Sequence, residues 1–223
     1  MKGARWCFRV GGIALSLALA AQATPAQAAS VVGLWRMDET SGTTAIDSSG
    51  NGNSGVLSNI ALVTPGFDGT GGAYSFNGTS SKVLIPNSAS LNPGTANVSV
   101  TVHVLFTAKP TGSGDYDLLR KGKSVYYKIE IASSGQARCQ FHGSAGGSGL
   151  VFGPNLADGR WHTIMCTKTA TSISGIVDGT STKSKTVTIG SITNTVALSL
   201  GGKAEGNQDL YPGVMDEVSI AFG

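Results

Sequence analysis

The sequence predicts an all-β protein built as a two-sheet antiparallel sandwich, and three observations carry that expectation. Apolar and polar residues alternate at period two in many short runs, which is how a strand with one buried face reads. Turn signals such as Ser133-Ser134-Gly135, Asp158-Gly159, Asp178-Gly179 and Gly201-Gly202 separate those runs. The composition, with 32 Gly and only 13% charged residues, favours short strands and tight turns over helices.

The first element is set apart from the fold. Lys2, Arg5 and Arg9 precede the apolar run Val10 to Ala21, Pro25 breaks that run, and Ala26-Gln27-Ala28 offers small residues for cleavage. Residues 1–28 are therefore expected to be a secretory signal peptide, with export of residues 29–223 as one domain. The apolar run is shorter than the roughly 20 residues of a membrane-spanning helix, and no later run reaches that length. Cleavage takes three of the 16 basic residues and leaves 13 against 13 acidic ones. A chain with no basic excess lacks the footprint that displaces counterions from nucleic acid.

Strands are then expected, in order, at Val31 to Met37, Lys82 to Ile85, Asn97 to Phe106, Val125 to Ala132, Ala137 to His142, Arg160 to Thr167, Ser172 to Asp178, Lys185 to Ile189, Val196 to Leu200 and Gly213 to Phe222. The third is the clearest, with Val98, Val100, Val102, Val104 and Phe106 on one face and Ser99, Thr101 and His103 on the other. Ten to thirteen strands in all imply two stacked sheets. Gly143 to Gly149 reads as a loop. After cleavage Cys139 and Cys166 remain, each in a strand-like run. Export favours one bridge stapling two strands of one sheet, two buried thiols being the alternative.

In this order the landmarks become specific. Val32-Gly33-Leu34-Trp35-Arg36-Met37-Asp38-Glu39 precedes Ser41-Gly42-Thr43 and Asp47-Ser48-Ser49-Gly50-Asn51-Gly52-Asn53. Tyr74-Ser75-Phe76-Asn77-Gly78, Asp158-Gly159-Arg160-Trp161-His162, Val177-Asp178-Gly179 and Gly213 to Ile220 follow. The series resembles the laminin G-like branch of the concanavalin A-like lectin and glucanase superfamily. The resemblance implies a jelly roll whose first and last strands are neighbours, and a recognition module whose partner is a glycan or another extracellular molecule. Relatives often hold a structural calcium, and many carry Trp where this chain has His103.

Asp47, Ser49 and Asn51 place oxygen side chains at alternate positions before Gly52, as a calcium loop does. Asp38 and Asp216, with Glu39 or Glu217, are the acids expected to complete the set; the alternative is an Asx turn that needs no ion. The glycine pattern Gly50-x-Gly52-x-x-Gly55 has no following helix and does not mark a nucleotide site. Glycosidases need two carboxylates facing each other across the sugar. Asp38-Glu39 and Asp216-Glu217 split across two faces, and Asp115 and Asp117 border a turn, so an enzyme is not the expected reading. Sugar recognition uses exposed aromatic faces framed by polar groups. The candidates are Tyr116, Tyr126, Phe152 and Tyr211, with His103 and His142; Trp35 and Trp161 read as core landmarks. His162, after Trp161, is expected to bond a neighbouring loop.

Overall fold

A computed structural model describes residues 29–112 and 114–223, with Met1 and Gly3, so the expected signal peptide lies outside the described residues but for those two. Among the described residues no helix is long and apolar enough to cross a membrane.

Strands β1 (Ser30–Trp35), β2 (Thr44–Ala45), β3 (Gly55–Ser58), β4 (Ala61–Val63), β5 (Ala73–Asn77), β6 (Lys82–Ile85), β7 (Val98–Leu105), β8 (Tyr116–Gly122), β9 (Tyr126–Ile131) and β10 (Ala137–Gly143) are followed by β11 (Gly146–Phe152), β12 (Trp161–Lys168), β13 (Ser172–Val177), β14 (Ser181–Thr186), β15 (Leu198–Leu200) and β16 (Pro212–Phe222). The first sheet runs β14-β13-β12-β7-β16-β5-β4, with β1 also paired to β16, and the second runs β11-β10-β9-β8-β15-β6-β3-β2. All these pairings are antiparallel, and the first and last strands are neighbours, Trp35 opposing Val218. This is the expected sandwich.

The core lies where the inward positions meet. Val98, Val100, Val102, Val104 and Phe106 are all buried, as the alternation requires, against Tyr127, Ile129, Ile131 and Phe141 of the second sheet. Trp35 is fully buried, and its indole N–H donates to the Asn53 carbonyl at 3.0 Å. Trp161 is only partly buried, because it sits at an outward position of β12.

Four expectations need correction. The strands number sixteen among the described residues. Gly143 to Gly149 is mostly strand: Gly146–Phe152 pairs along all of β10, with no apolar alternation until Leu150 to betray it. The run expected at Lys185 to Ile189 begins earlier, at Ser181, in a polar edge strand without an inward apolar set. The bridge Cys139–Cys166 joins the two sheets rather than two strands of one, since both cysteines stand at inward positions of facing layers. Their Cα atoms are 5.6 Å apart, a close approach that Gly175, opposite Cys166, permits. A Cβ on Gly175 would lie 2.3 Å from the Phe152 ring.

Candidate functional site

On the outer face of the second sheet the antiparallel registers align two rows of side chains. Gly149, Gln140, Lys128, Arg120 and Ser199 oppose one another across β11, β10, β9, β8 and β15, and Gly147, His142, Tyr126 and Gly122 form the next row. The Tyr126 hydroxyl donates to Gln140 Oε1 at 3.1 Å, and Gln140 Nε2 donates to Glu130 Oε1 at 2.8 Å. His142 Nδ1 meets the Ser124 carbonyl, which can only accept. Nδ1 is therefore the donor in that bond, and Nε2 is left without a protein partner.

These three side chains and Gly147, Ser148 and Gly149 line a depression of about 370 Å³. The glycines keep it open. A Cβ on Gly147 would stand 2.6 Å from the His142 ring, and one on Gly149 would stand 3.2 Å from Gln140 Cγ. A second depression, of about 420 Å³, is lined by Arg120, Lys123, Ala197, Ser199, Lys203 and Glu205 among others. The two adjoin where the Arg120 guanidinium lies over the Tyr126 ring, 5.5 Å from its centroid.

Beneath this face lies a balanced charge cluster. Asp115, Asp117 and Glu130 bring an oxygen each within 4.8 Å of one another, the one such acidic group among the described residues that could hold a metal. Arg120 pairs with Asp117 at 3.2 Å, Arg138 with Asp115 at 3.0 Å and also with Glu130, and Lys128 with Glu130 and with Asp117 at 3.7 Å. Burial pushes the Asp117 carboxyl up to about 6 against the pull of Lys128 and Arg120, and burial, then Glu130, also raises Asp115. Asp117 Oδ1 and Glu130 Oε2 accept no hydrogen bond, and the Lys128 ammonium stands beside both, where a metal ion would otherwise sit.

The structure divides the expected calcium set. Two ligands about 2.4 Å from one ion lie at most about 4.8 Å apart, and Asp38, Asp47 and Asp216 are not such a group. Asp47 Oδ1 accepts from the Leu34 and Ser49 amides, and Oδ2 from Ser49 Oγ and the Asn53 amide. Burial opposes ionisation there, but those donors outweigh it and hold the carboxyl below its ordinary range. Asn51 reaches back to the Val31 carbonyl at 3.1 Å. The bend is thus a self-satisfied Asx turn and does not fit an ion.

Asp38 and Asp216 gather elsewhere, on the loop of residues 64–72. Asp38 Oδ1 accepts from the Gly72 amide and Asp216 Oδ2 from the Phe67 amide, each at 2.8 Å. The Thr70 and Gly72 carbonyls and Asp216 Oδ2 converge within 2.4–2.8 Å of the point where a Gly66 Cβ would sit. Burial raises the Asp216 carboxyl, with the Glu217 and Asp38 charges adding to it. Two of these oxygens already accept amides of the same loop, the Thr70 carbonyl from Gly66 and Asp216 Oδ2 from Phe67.

Of the residues expected to touch ligand, Tyr126 and His142 line the first depression. Tyr116 is partly buried, edge-on to Tyr211 at 6.2 Å, and lines neither depression. Tyr211 is fully buried, its hydroxyl 3.0 Å from the Leu105 and Val214 carbonyls, and Phe152 is core. His103 lies on the first sheet beneath Phe67, ring centroids 3.9 Å apart, and burial lowers its pKa. Packing thus removes these three from the open face. Lys121 is fully buried; its ammonium donates to Asn87 Oδ1 at 2.9 Å and Asn194 Oδ1 at 2.8 Å, and burial brings its pKa down to about 8. Sequence reasoning missed Gln140, Arg120, Lys128 and Glu130. Their signal was Gln-x-His and Lys-x-Glu at the polar positions of two strands that pair with each other.

A family profile, Laminin_G_3, described as the concanavalin A-like lectin/glucanases superfamily, matches residues 77–221. No curated protein matches the chain in sequence. Among solved structures, the binding domain of Paraclostridial Mosquitocidal Protein 1 is similar, with TM-score 0.69 and 16% identity over 86% of this chain and 48% of that one. The ligand binding domain of botulinum neurotoxin serotype D in complex with N-acetylneuraminic acid has TM-score 0.64 and 11% identity over 86% of this chain and 47% of that one. The binding domain of botulinum neurotoxin DC in complex with rat synaptotagmin II has TM-score 0.63 and 11% identity, covering 86% and 48%. At such identities the likeness speaks for the fold alone, and this chain spans about half the length of those structures.

Proposed function

The chain belongs to the concanavalin A-like lectin/glucanases superfamily, and from that membership we propose that it is an exported, non-catalytic module that recognises carbohydrate on the outer face of β8 to β11. The observation that carries this reading is the depression in which β11 glycines leave room over the Gln140 amide and the His142 ring, beside the Tyr126 ring, one face of which the Arg120 guanidinium takes. An aromatic face takes the apolar side of a pyranose, and an amide and an imidazole take its hydroxyls. The fold is one that a domain solved with a sugar, N-acetylneuraminic acid, also has.

The acids argue against hydrolysis. Glycosidases separate two carboxylates by roughly 5–10 Å across the substrate, whereas Asp115, Asp117 and Glu130 converge, buried or nearly so, under Lys128, Arg120 and Arg138. Export is supported by the composition of residues 1–28 and by the disulfide. Calcium, in this reading, is held by Asp38 and Asp216 with carbonyls of the 64–72 loop, and its effect is to lock that loop. Adding calcium should then raise the melting temperature of the wild type, and a chelator should reverse the rise; the Asp216→Asn variant should respond to neither.

A glycan array probed with the wild-type protein and the Tyr126→Ala variant tests the main reading. Binding to a saccharide class that the variant loses by about tenfold or more is expected, since one stacked aromatic contributes on the order of 1–2 kcal/mol. A protein partner is the second reading. It is favoured by the far end of the same face, where the row continues through Leu84 to Val56, an exposed apolar residue. Silence on the array, with capture of a receptor that Val56→Glu abolishes, would establish it in place of the first.

A further inference from the structure

We propose that the outer edge of β14 accepts an extended acidic segment of a partner protein as an added strand. The inference stands apart from the carbohydrate reading, because it uses another part of the fold and another class of partner.

The edge itself comes first. β14 ends the first sheet, and its six residues pair with β13 without a register shift. The Val187 amide donates to the Thr171 carbonyl at 2.9 Å, and hydrogen-bonded pairs alternate along the ladder from there. Ser181, Lys183 and Lys185 therefore turn their backbone groups to β13, whereas Thr182, Ser184 and Thr186 turn theirs to solvent, and all three of these are exposed. The remaining edges are shorter or already engaged. The 47–53 bend covers β1, the Ser48 amide donating to the Leu34 carbonyl and the Asn51 and Asn53 side chains to those of Val31 and Val32. β2 and β4 have two and three residues. On β11 the Val151 carbonyl accepts from Lys183 Nζ at 3.0 Å. A straight, uncovered row of amides and carbonyls is a template for one more strand.

Charge then selects the partner. Lys183 and Lys185 stand on the inward face of β14, opposite Gly175 and Ile173, and their stems reach across to β11, where Lys185 Nζ donates to Ser148 Oγ at 2.9 Å. Neither ammonium pairs with a carboxylate among the described residues. Because both lysines commit their backbone to β13, a strand added on the other side faces them in its closely spaced, non-hydrogen-bonded pairs. Acidic residues at alternate positions of that strand, about 7 Å apart, would meet both ammoniums. A second copy of β14 fits poorly, since pairing about Ser184 would set Lys183 against Lys185. An acidic polysaccharide would meet the ammoniums but leave the outward amides and carbonyls of Thr182, Ser184 and Thr186 unmatched.

The test is fluorescence anisotropy of the full protein with labelled octapeptides that alternate Thr with Glu or Thr with Lys, beside labelled oligogalacturonate. The Thr/Glu peptide should bind about tenfold tighter than the Thr/Lys peptide, and should slow hydrogen exchange at the Thr182, Ser184 and Thr186 amides. Ser184→Pro removes an outward donor and none of the β13 ladder. It should weaken the Thr/Glu peptide about tenfold and leave the melting temperature little changed. Reversing both charges, Lys183→Glu with Lys185→Glu, should turn the preference to the Thr/Lys peptide. Binding of neither peptide, or equal binding of both, would overturn the inference while leaving the sugar site untouched. Oligogalacturonate binding that Ser184→Pro leaves intact, with no peptide bound, would overturn it in favour of an acidic polysaccharide.

Discussion

The outer face of the first sheet is closed by the chain itself. There β7 and β12 present Thr101 and His103 opposite Met165 and Thr163, and residues 64–72 fold over them, Phe67 stacking on His103 and meeting Trp161 edge-on at 5.8 Å. Asp216 and Asp38 hold that loop by the amides of Phe67 and Gly72. The second sheet offers the same alternation of inward and outward residues and stays open, because its edge strand is Gly-Gly-Ser-Gly where a covering side chain would stand. Glycine works in opposite ways on the two faces. Gly66 and Gly72 let backbone and carboxylate oxygens crowd together, whereas Gly147 and Gly149 leave room unfilled. A face becomes a site when nothing in its own chain is anchored over it.

The largest effect expected is on the open face. Glu130→Ala strips the shared anion from between buried Lys128 and Arg138 and should cost about 3–5 kcal/mol in urea unfolding; a loss below about 1 kcal/mol would mean that the charges there do not depend on one another. Next, replacing both Cys139 and Cys166 by Ser unties the sheets and should cost about 3.5 kcal/mol for a separation of 27 residues. Sugar binding should survive at low temperature, since the depression lined by Tyr126, Gln140 and His142 belongs to one sheet. On the closed face, Phe67→Ala should cost about 1–2 kcal/mol, less than a fully buried Phe. It should let the His103 pKa climb back toward 6.5, as proton titration by NMR reads, because burial is what lowers it. Binding to the opposite face should not change.

The smallest effect sharpens a contrast within the first sheet. His162 is pulled down by burial, but Asp178 at 2.8 Å and Asp158 at 3.0 Å overcome this and raise its pKa, opposite to His103. A raised folded-state pKa means that the stabilisation is complete below the ordinary value of 6.5 and is lost as pH rises through the higher folded value. Thermal melts should fall slightly over that window, and His162→Gln should flatten the fall, a difference below about 1 kcal/mol because both aspartates face solvent.

The two halves of the site differ in how legible they were. Tyr126 and His142 were readable, since each is a polar or aromatic residue at an outward position of a plainly alternating strand. His103 satisfied the same test and Tyr211 stood outside the alternating runs, and both failed, because a buried tyrosine with backbone acceptors and a histidine under a loop look no different in one dimension. The calcium set divided for a related reason. Spacing at alternate positions describes an Asx turn as well as an ion loop, and only the donors that reach Asp47 from Leu34 and Asn53 decide between them. Asp115 and Asp117 looked like a turn border until Glu130, on the neighbouring strand, joined them.

By itself the sequence determined the sandwich and the inward faces of its main strands, because burial of alternating residues is a local pattern repeated along the chain; the adjacency of the first and last strands was implied by the family resemblance. The tertiary structure alone decided which outer face is covered, that the disulfide links the sheets, and that three acids meet three cations on the open face. Those depend on which strands become neighbours, and contact between residues tens of positions apart is a property of registry across space rather than of order along the chain.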